Sequence, residues 1–163
     1  MRWINIIISA LAVWFLQLLL SDSLSINSVR PDFCAILILY WSLIYGRTFG
    51  ICSGFLFGLI VDLSASGIFF GLSPLIYTIT GYLGGGLNIN STRLNPFYTS
   101  FTWIVILFFH FFVYCLIQYQ DLWEFNRQIF WGKWFGTAIY TISFAGVLQF
   151  VYPIKNILNA KSR

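Results

Sequence analysis

The amino-acid sequence predicts an all-α integral membrane protein, a single transmembrane domain that forms a bundle of about six helices. Three observations lead to this prediction: 59% of the 163 residues are hydrophobic, only 9% are charged, and the mean hydropathy is +0.82. Ordinary soluble domains carry about 25% charged residues. A chain with so few charges cannot give a globule of this size a solvated surface, so its apolar segments are expected to lie in a bilayer.

Six hydrophobic segments follow one another along the chain, separated by short polar turns. The predicted spans are residues 4–20, 31–45, 48–62, 68–87, 97–119 and 129–152. The first segment has the length of a signal peptide. However, Ser21-Asp22-Ser23 is a poor cleavage site and more hydrophobic segments follow, so we expect a retained helix.

The second and third spans come from one apolar run, Phe33–Val61. A single helix over this run would be roughly 44 Å long, whereas the hydrocarbon core is about 30 Å thick. A break at residues 45–48 gives two short helices, and Arg30-Pro31-Asp32 opens the first, since proline is tolerated in the first turn. Trp41 and Tyr45 are predicted to be interfacial aromatics. A re-entrant pair of helices is the alternative.

The last three spans are separated by recognisable connectors. Ser64-Ala65-Ser66-Gly67 predicts a tight turn before the fourth span, which contains Gly71 and Pro74. The fifth span is rich in aromatic residues, and the polar connector Gln120–Arg127 separates it from the sixth. In that connector Trp123 and Phe125 are expected to rest at the lipid headgroups.

The distribution of Lys and Arg predicts the orientation. With the N-terminus inside, six basic residues fall on the cytoplasmic side and three outside: Arg2, Arg47, Arg93, Lys155, Lys161 and Arg163 against Arg30, Arg127 and Lys133. Because cytoplasmic loops are enriched in basic residues, both termini are predicted to be cytoplasmic. Asp62 then lies toward the outer face.

A stripe of small residues runs along the third span. Gly50, Gly54, Gly58 and Asp62 recur every four residues and therefore share one helix face. Each glycine costs a soluble helix roughly 1 kcal/mol relative to alanine, but in a bilayer small residues let another helix approach closely. The stripe predicts a close-packing surface for a helix of this chain or of a partner.

The single histidine, His110, lies on the fifth span with Trp103, Tyr114 and Gln118 at roughly helical spacing, so these residues are expected to face the bundle. An ionisable residue in a membrane is a functional candidate. His110 and Asp62 come out at similar depth. We therefore consider an Asp62–His110 contact, against the alternative of two separate polar groups.

Several function classes find no support in the sequence. The basic residues form no patch interleaved with aromatics, which argues against nucleic-acid binding. No nucleophile–base pair, phosphate-binding loop or metal-ligand spacing occurs, so we expect no enzyme, cofactor or metal. Cys34, Cys52 and Cys115 lie far apart in apolar runs and are expected to be buried free thiols.

An ordered series of motifs resembles the bacterial rod shape-determining MreD family. The series is Arg30-Pro31-Asp32, an apolar run into Tyr40-Trp41, Gly54-Phe55, Gly58-Leu59-x-x-Asp62-Leu63, Gly67 and Gly71-Leu72. It covers about a third of the chain. The stretch from Asp62 to Gly71 matches the best-marked part of the family.

The resemblance implies a place in the bacterial plasma membrane, in the machinery that elongates the cell wall. MreD-like proteins bind the single-span protein MreC, and through it relate to the MreB filament, a RodA-type glycosyltransferase and its transpeptidase. The family is similar in fold to the substrate-binding subunits of energy-coupling-factor transporters. By this resemblance, Asp62, Gly67 and Gly71 belong to an interaction or structural hub.

These observations favour a non-enzymatic membrane scaffold that binds a partner helix. The first alternative is a vitamin-type binding subunit of a transporter, for which several convergent polar groups would be expected. The second is a proton or ion pathway, which normally needs more than two titratable groups in the membrane.

Overall fold

The computed structural model describes residues 2–23, 25, 29–64, 69–87 and 96–151, which form seven α-helices. Their bounds are α1 Arg2–Ser23, α2 Phe33–Tyr45, α3 Arg47–Ser64, α4 Leu72–Gly85, α5 Pro96–Gln118, α6 Gln120–Phe125 and α7 Arg127–Val151. The all-α prediction is confirmed for these residues. Gly67 lies outside the described residues.

The helix bounds differ from the predicted spans by one to four residues at most ends, and there is one helix that the sequence does not predict. The polar connector after α5 contains the short helix α6, which hydropathy does not reveal because its six residues include Asp121 and Glu124. Helix α4 begins at Leu72 rather than residue 68, since Gly71 precedes it with φ at 98°, in the left-handed region that ends helical geometry. The break predicted at residues 45–48 falls at Gly46, whose φ is 93°.

Helices α2, α3 and α4 form the most closely packed part of the molecule. Gly50 of α3 lies against Gly81 of α4, Gly54 against Tyr77, and Gly58 against Pro74. The contact positions run from Gly50 to Gly58 on α3 and in the reverse order, from Gly81 to Pro74, on α4. The two helices are therefore antiparallel. Ser42 of α2 reaches both Gly50 and Gly84. Small residues thus bring three backbones together, as expected for helices in lipid.

Aromatic side chains also pack between α2 and α3. Trp41 contacts Phe49 and Phe57 edge-on, with ring centroids 5.7 and 5.5 Å away, and is only 6% exposed. The Trp41 ring therefore fills the space between α2 and α3, and its position at the membrane interface stays a prediction. Tyr45 is 40% exposed and lies beside Phe49. Phe125 is 87% exposed on α6.

Helices α5 and α7 pack against each other and complete the bundle. The Trp134 indole donates a hydrogen bond to the Phe108 carbonyl, 3.2 Å away, and the Gln149 amide donates to the Ser100 hydroxyl at 2.6 Å. All three cysteines are free; Cys34 and Cys115 are buried as expected, whereas Cys52 is exposed on α3.

Length and hydropathy identify two described helices, Arg47–Ser64 and Phe97–Gln118, as long and apolar enough to cross a bilayer. Ile4–Leu19 and Phe33–Tyr45 are also apolar but shorter. The arrangement of six spans stays a prediction from the sequence.

Candidate functional site

The start of α2 is the point where the most helices meet through polar groups. Pro31 is fully buried, and Asp32 caps α2 because its Oδ1 accepts a hydrogen bond from the Ala35 amide at 2.9 Å. The Asp32 amide in turn donates to the Thr141 hydroxyl of α7, 3.2 Å away. This hydrogen bond therefore connects the start of α2 to α7.

Helix α1 contacts the same turn through Gln17. The Gln17 side-chain oxygen accepts a hydrogen bond from the Phe33 amide at 2.9 Å, and its nitrogen donates to the Pro31 carbonyl at 3.3 Å. Phe33 is the first residue of α2, so its amide has no partner within the helix. One side chain thus satisfies a backbone donor and a backbone acceptor of the turn.

Helices α4 and α5 reach Asp32 through Tyr77 and His110. The Tyr77 hydroxyl donates to Asp32 Oδ2 at 2.7 Å, and His110 Nε2 lies 3.6 Å from the same oxygen. The Tyr77 and His110 rings stack, with centroids 5.4 Å apart and planes inclined by 19°. The His110 side chain is 2% exposed and that of Asp32 17%. The carboxylate thus faces two neighbouring helices at once.

Thr80 fixes the other edge of the imidazole. Its hydroxyl oxygen lies 2.8 Å from the Ile76 carbonyl and 2.7 Å from His110 Nδ1, but a hydroxyl has only one proton to donate. If the proton goes to Nδ1, the neutral ring carries its own proton on Nε2. If it goes to the Ile76 carbonyl, the hydroxyl oxygen can only accept a hydrogen bond, so Nδ1 carries a proton. A further proton on Nε2, the nitrogen that faces Asp32, then makes the ring an imidazolium. Each arrangement with a favourable Asp32 contact therefore has a proton on Nε2.

We call these contacting residues the Asp32 cluster; they are Gln17, Pro31, Asp32, Phe33, Tyr77, Thr80, His110 and Thr141. The cluster joins five helices, α1, α2, α4, α5 and α7. Asp32 and His110 are candidates from the sequence alone, whereas Gln17, Tyr77, Thr80 and Thr141 are not. Each of these four residues is a polar side chain inside an apolar segment. That pattern can be seen in the sequence, but it does not show which residue the side chain contacts.

The considered Asp62–His110 contact is wrong. Asp62 Oδ2 accepts a hydrogen bond from the Gly71 amide at 2.6 Å, whereas His110 faces Asp32. The reason is the arrangement of the helices: α5 packs mainly on α4 and α7, and Asp62 lies at the end of α3. Asp62 instead holds the connection between α3 and α4. As expected, Trp103 is buried, and Tyr114 and Gln118 are half-buried.

The glycine stripe (Gly50, Gly54 and Gly58) is buried under α4 of the same chain. A Cβ atom added at Gly54 would lie 2.7 Å from the Tyr77 carbonyl carbon, and one added at Gly50 would lie 2.6 Å from the Gly81 oxygen. Gly71 has open space around it and adopts φ of 98°. The stripe is thus filled by an intrachain contact, and the other helix faces remain for a partner.

A polar cavity of about 660 Å³ adjoins the Asp32 cluster. It lies where α1, α3 and α5 end and α2 and α4 begin, and its lining includes Gln17, Arg30, Asp32, Tyr77, His110 and Tyr114. Its volume is in the range of small-molecule sites, about 300–1,000 Å³. Within the described part of the chain, no group of three His, Cys, Asp or Glu side chains is placed to hold a metal ion.

Comparison with known proteins gives one finding. The sequence model of the family of the rod shape-determining protein MreD matches residues 1–155. The searches of curated proteins and of solved structures return no match. The family match extends well beyond the central motifs, to the end of α7.

Proposed function

We infer a function from the fact that the chain belongs to the MreD family of rod shape-determining proteins. It acts in rod shape determination at the bacterial membrane, as a non-enzymatic scaffold of the cell-wall elongation machinery. In this role it binds MreC, and through MreC it relates to the MreB filament, a RodA-type glycosyltransferase and its transpeptidase. The family match over residues 1–155 is the observation that carries this inference.

The construction of the bundle supports a scaffold. The polar groups of the Asp32 cluster form hydrogen bonds with one another and with helix backbones. The Asp32 carboxylate accepts hydrogen bonds from the Ala35 amide and the Tyr77 hydroxyl, and the Thr80 hydroxyl is within hydrogen-bond distance of the Ile76 carbonyl and His110 Nδ1. A catalytic group needs a nucleophile and base directed at a substrate. Side chains whose hydrogen bonds connect five helices instead fix the relative positions of those helices.

The orientation follows from the basic residues. With both termini in the cytoplasm, the Asp32 cluster and Asp62 lie toward the outer leaflet of the plasma membrane. A partner with a single span and an external juxtamembrane segment would meet them there. Since α4 covers the glycine stripe, the partner helix has to use another face.

Depletion in the source bacterium tests the function. If the chain is a shape-determining scaffold, rod-shaped cells become round as the protein is depleted, and an intact copy restores rods. Unchanged shape together with a nutrient requirement would contradict the scaffold and favour a transporter subunit.

Site-directed crosslinking tests the MreC contact. The exposed face of α7 includes Gly132, Ile139 and Gly146, and a Cβ at either glycine would meet no atom within 4 Å. Photo-crosslinking residues at these positions report on an open face, and the same residue at Leu107, which is 1% exposed, is the matched control. The absence of MreC adducts across all exposed helix faces would contradict direct binding.

One observation favours a second candidate, a small-molecule binding subunit of a transporter. The cavity next to the Asp32 cluster is large enough for a ligand and has convergent polar groups. Under this alternative the chain would bind its ligand in the cavity and pass it to a transport partner. Retention of rod shape after depletion, with loss of uptake of one nutrient, would support it.

A further inference from the structure

The cavity contains hydrogen-bonding groups that the Asp32 cluster does not use. The hydroxyls of Ser73, Tyr114 and Tyr119 line it and form no hydrogen bond with the other described residues. Ser73 is only 8% exposed. These hydroxyls line the cavity, and each can donate to and accept from a group that is bound there.

The walls of the cavity combine aromatic rings with a carboxylate. Trp14, Phe111, Tyr114 and Tyr119 line it, together with Tyr77, one face of which is covered by His110. Asp32 also lines it and retains an accessible side chain, 17% exposed. Aromatic faces next to a carboxylate attract an ammonium group, because the negative face of each ring adds to the charge of the acid.

The rim carries the opposite charge. Arg30 lines the cavity two residues before Asp32 and is exposed. Its guanidinium has five N–H donors and pairs well with phosphate. Leu18, Val61 and Ile76 add apolar surface to the same space. The cavity therefore offers neighbouring contacts for an ammonium group, a phosphate and a hydrocarbon segment.

We propose that this cavity binds a phosphoethanolamine group, with its ammonium between Asp32 and the aromatic rings and its phosphate at Arg30. The source is either the headgroup of an aminophospholipid or a soluble phosphoethanolamine compound. The cavity lies at one end of the helices, which is the level of the headgroups if the bundle crosses a membrane. This binding goes beyond the scaffold function.

Thermal unfolding of the purified full-length protein in a neutral detergent tests the proposal. Phosphatidylethanolamine is titrated against phosphatidylglycerol, which has the phosphate and acyl chains but no ammonium. Soluble glycerophosphoethanolamine is titrated separately. We expect phosphatidylethanolamine to raise the Tm with saturation and phosphatidylglycerol to leave it unchanged. Stabilisation by the soluble compound as well would show that the headgroup suffices; stabilisation by the lipid alone would identify the lipid as the source.

The variant Tyr114→Leu removes one ring and its hydroxyl, neither of which takes part in the hydrogen bonds of the Asp32 cluster. Tyr98→Leu is the matched control, since Tyr98 is exposed near the other end of α5. We expect binding to weaken about 3- to 30-fold in Tyr114→Leu and to stay unchanged in Tyr98→Leu.

Three results would overturn the proposal. The first is equal stabilisation by the two phospholipids, which is a general lipid effect. The second is an unchanged affinity in Tyr114→Leu, and the third is no Tm shift with either ethanolamine compound. If Tyr114→Leu does not fold, Ser73→Ala takes its place, and the comparison of the two lipids on the unaltered protein decides independently. Cell shape does not enter these readouts, so the scaffold function can fail or hold separately.

Discussion

Asp32 connects more of the molecule than its place in the sequence suggests. The sequence predicts a helix start at Arg30-Pro31-Asp32, and the Asp32 carboxylate does cap α2. The same side chain also accepts a hydrogen bond from the Tyr77 hydroxyl, 45 positions along the chain, and faces His110, 78 positions along the chain. A capping motif is local and can be recognised from spacing. Contacts between distant positions depend on how the helices pack, which spacing does not specify.

Replacement of Asp32 separates its two roles. Asn also caps helices, so Asp32→Asn keeps the cap and loses the charge, whereas Asp32→Ala loses the cap and leaves the buried Tyr77 hydroxyl without its acceptor. We expect Asp32→Ala to reduce the free energy of unfolding by about 2–4 kcal/mol and Asp32→Asn by about half as much. Denaturation in detergent micelles measures both. Equal effects of the two variants would contradict the capping role.

A double-mutant cycle distinguishes the two possible partners of His110. Because His110 faces Asp32, we expect the effects of His110→Ala and Asp32→Asn on the free energy of unfolding to be non-additive by about 0.5–3 kcal/mol. The effects of His110→Ala and Asp62→Asn should add, since Asp62 bonds to Gly71. Additivity in the first pair and coupling in the second would reverse the assignment.

Gly71 is required for its backbone conformation and not for space. Its φ is 98°, yet a Cβ there would meet no atom within 4 Å. A left-handed conformation costs other residues about 1–2 kcal/mol. We therefore expect Gly71→Ala and Gly71→Leu to reduce stability by the same amount, and Gly71→Asn by less, as measured by Tm. A steady increase of the loss with side-chain size would show that space matters instead.

At the scale of the helices, the sequence predicted which face of α3 packs closely but not what covers it. Four-residue spacing places Gly50, Gly54 and Gly58 on one side of any helix. The stripe packs on α4 because Gly50 lies against Gly81, which has no side chain, and Gly58 lies against the backbone of Pro74 in the first turn of α4. The glycine pattern in a single sequence indicates that another helix packs closely on α3, but it does not say which helix. In the folded chain that helix is α4, the next one along the sequence.

Alanine substitutions test whether the α3–α4 contact depends on close approach of the backbones. In Gly54→Ala the new Cβ would lie 2.7 Å from the Tyr77 carbonyl carbon, so the helices must separate and we expect a loss of about 1–3 kcal/mol. Gly146→Ala is the matched control, because nothing lies within 4 Å of its Cβ. That variant should be neutral or more stable by up to about 1 kcal/mol, since alanine favours the helix.

Thermal unfolding in the same detergent compares the two alanine variants. Equal Tm values for Gly54→Ala and Gly146→Ala would contradict the importance of the glycine stripe. A lower Tm for Gly54→Ala alone is the expected result.

At the scale of the whole molecule, hydropathy predicted the helices and their order but not their arrangement around the bundle. Segment lengths predict that His110 and Asp62 lie at similar depth in the bundle. Depth along a helix says nothing about its neighbours, and in the folded chain α5 packs mainly on α4 and α7. The cavity escaped prediction for the same reason, since its lining comes from the ends and starts of five different helices and from α7.

Cell shape is the measurement that tests the shape-determining scaffold most directly. The native protein is depleted in the source bacterium, and the ratio of cell length to width is followed with and without an intact plasmid copy. We predict that the ratio falls toward one on depletion and that the intact copy restores it. Cells that keep their rod shape after the protein is lost would contradict the proposed function.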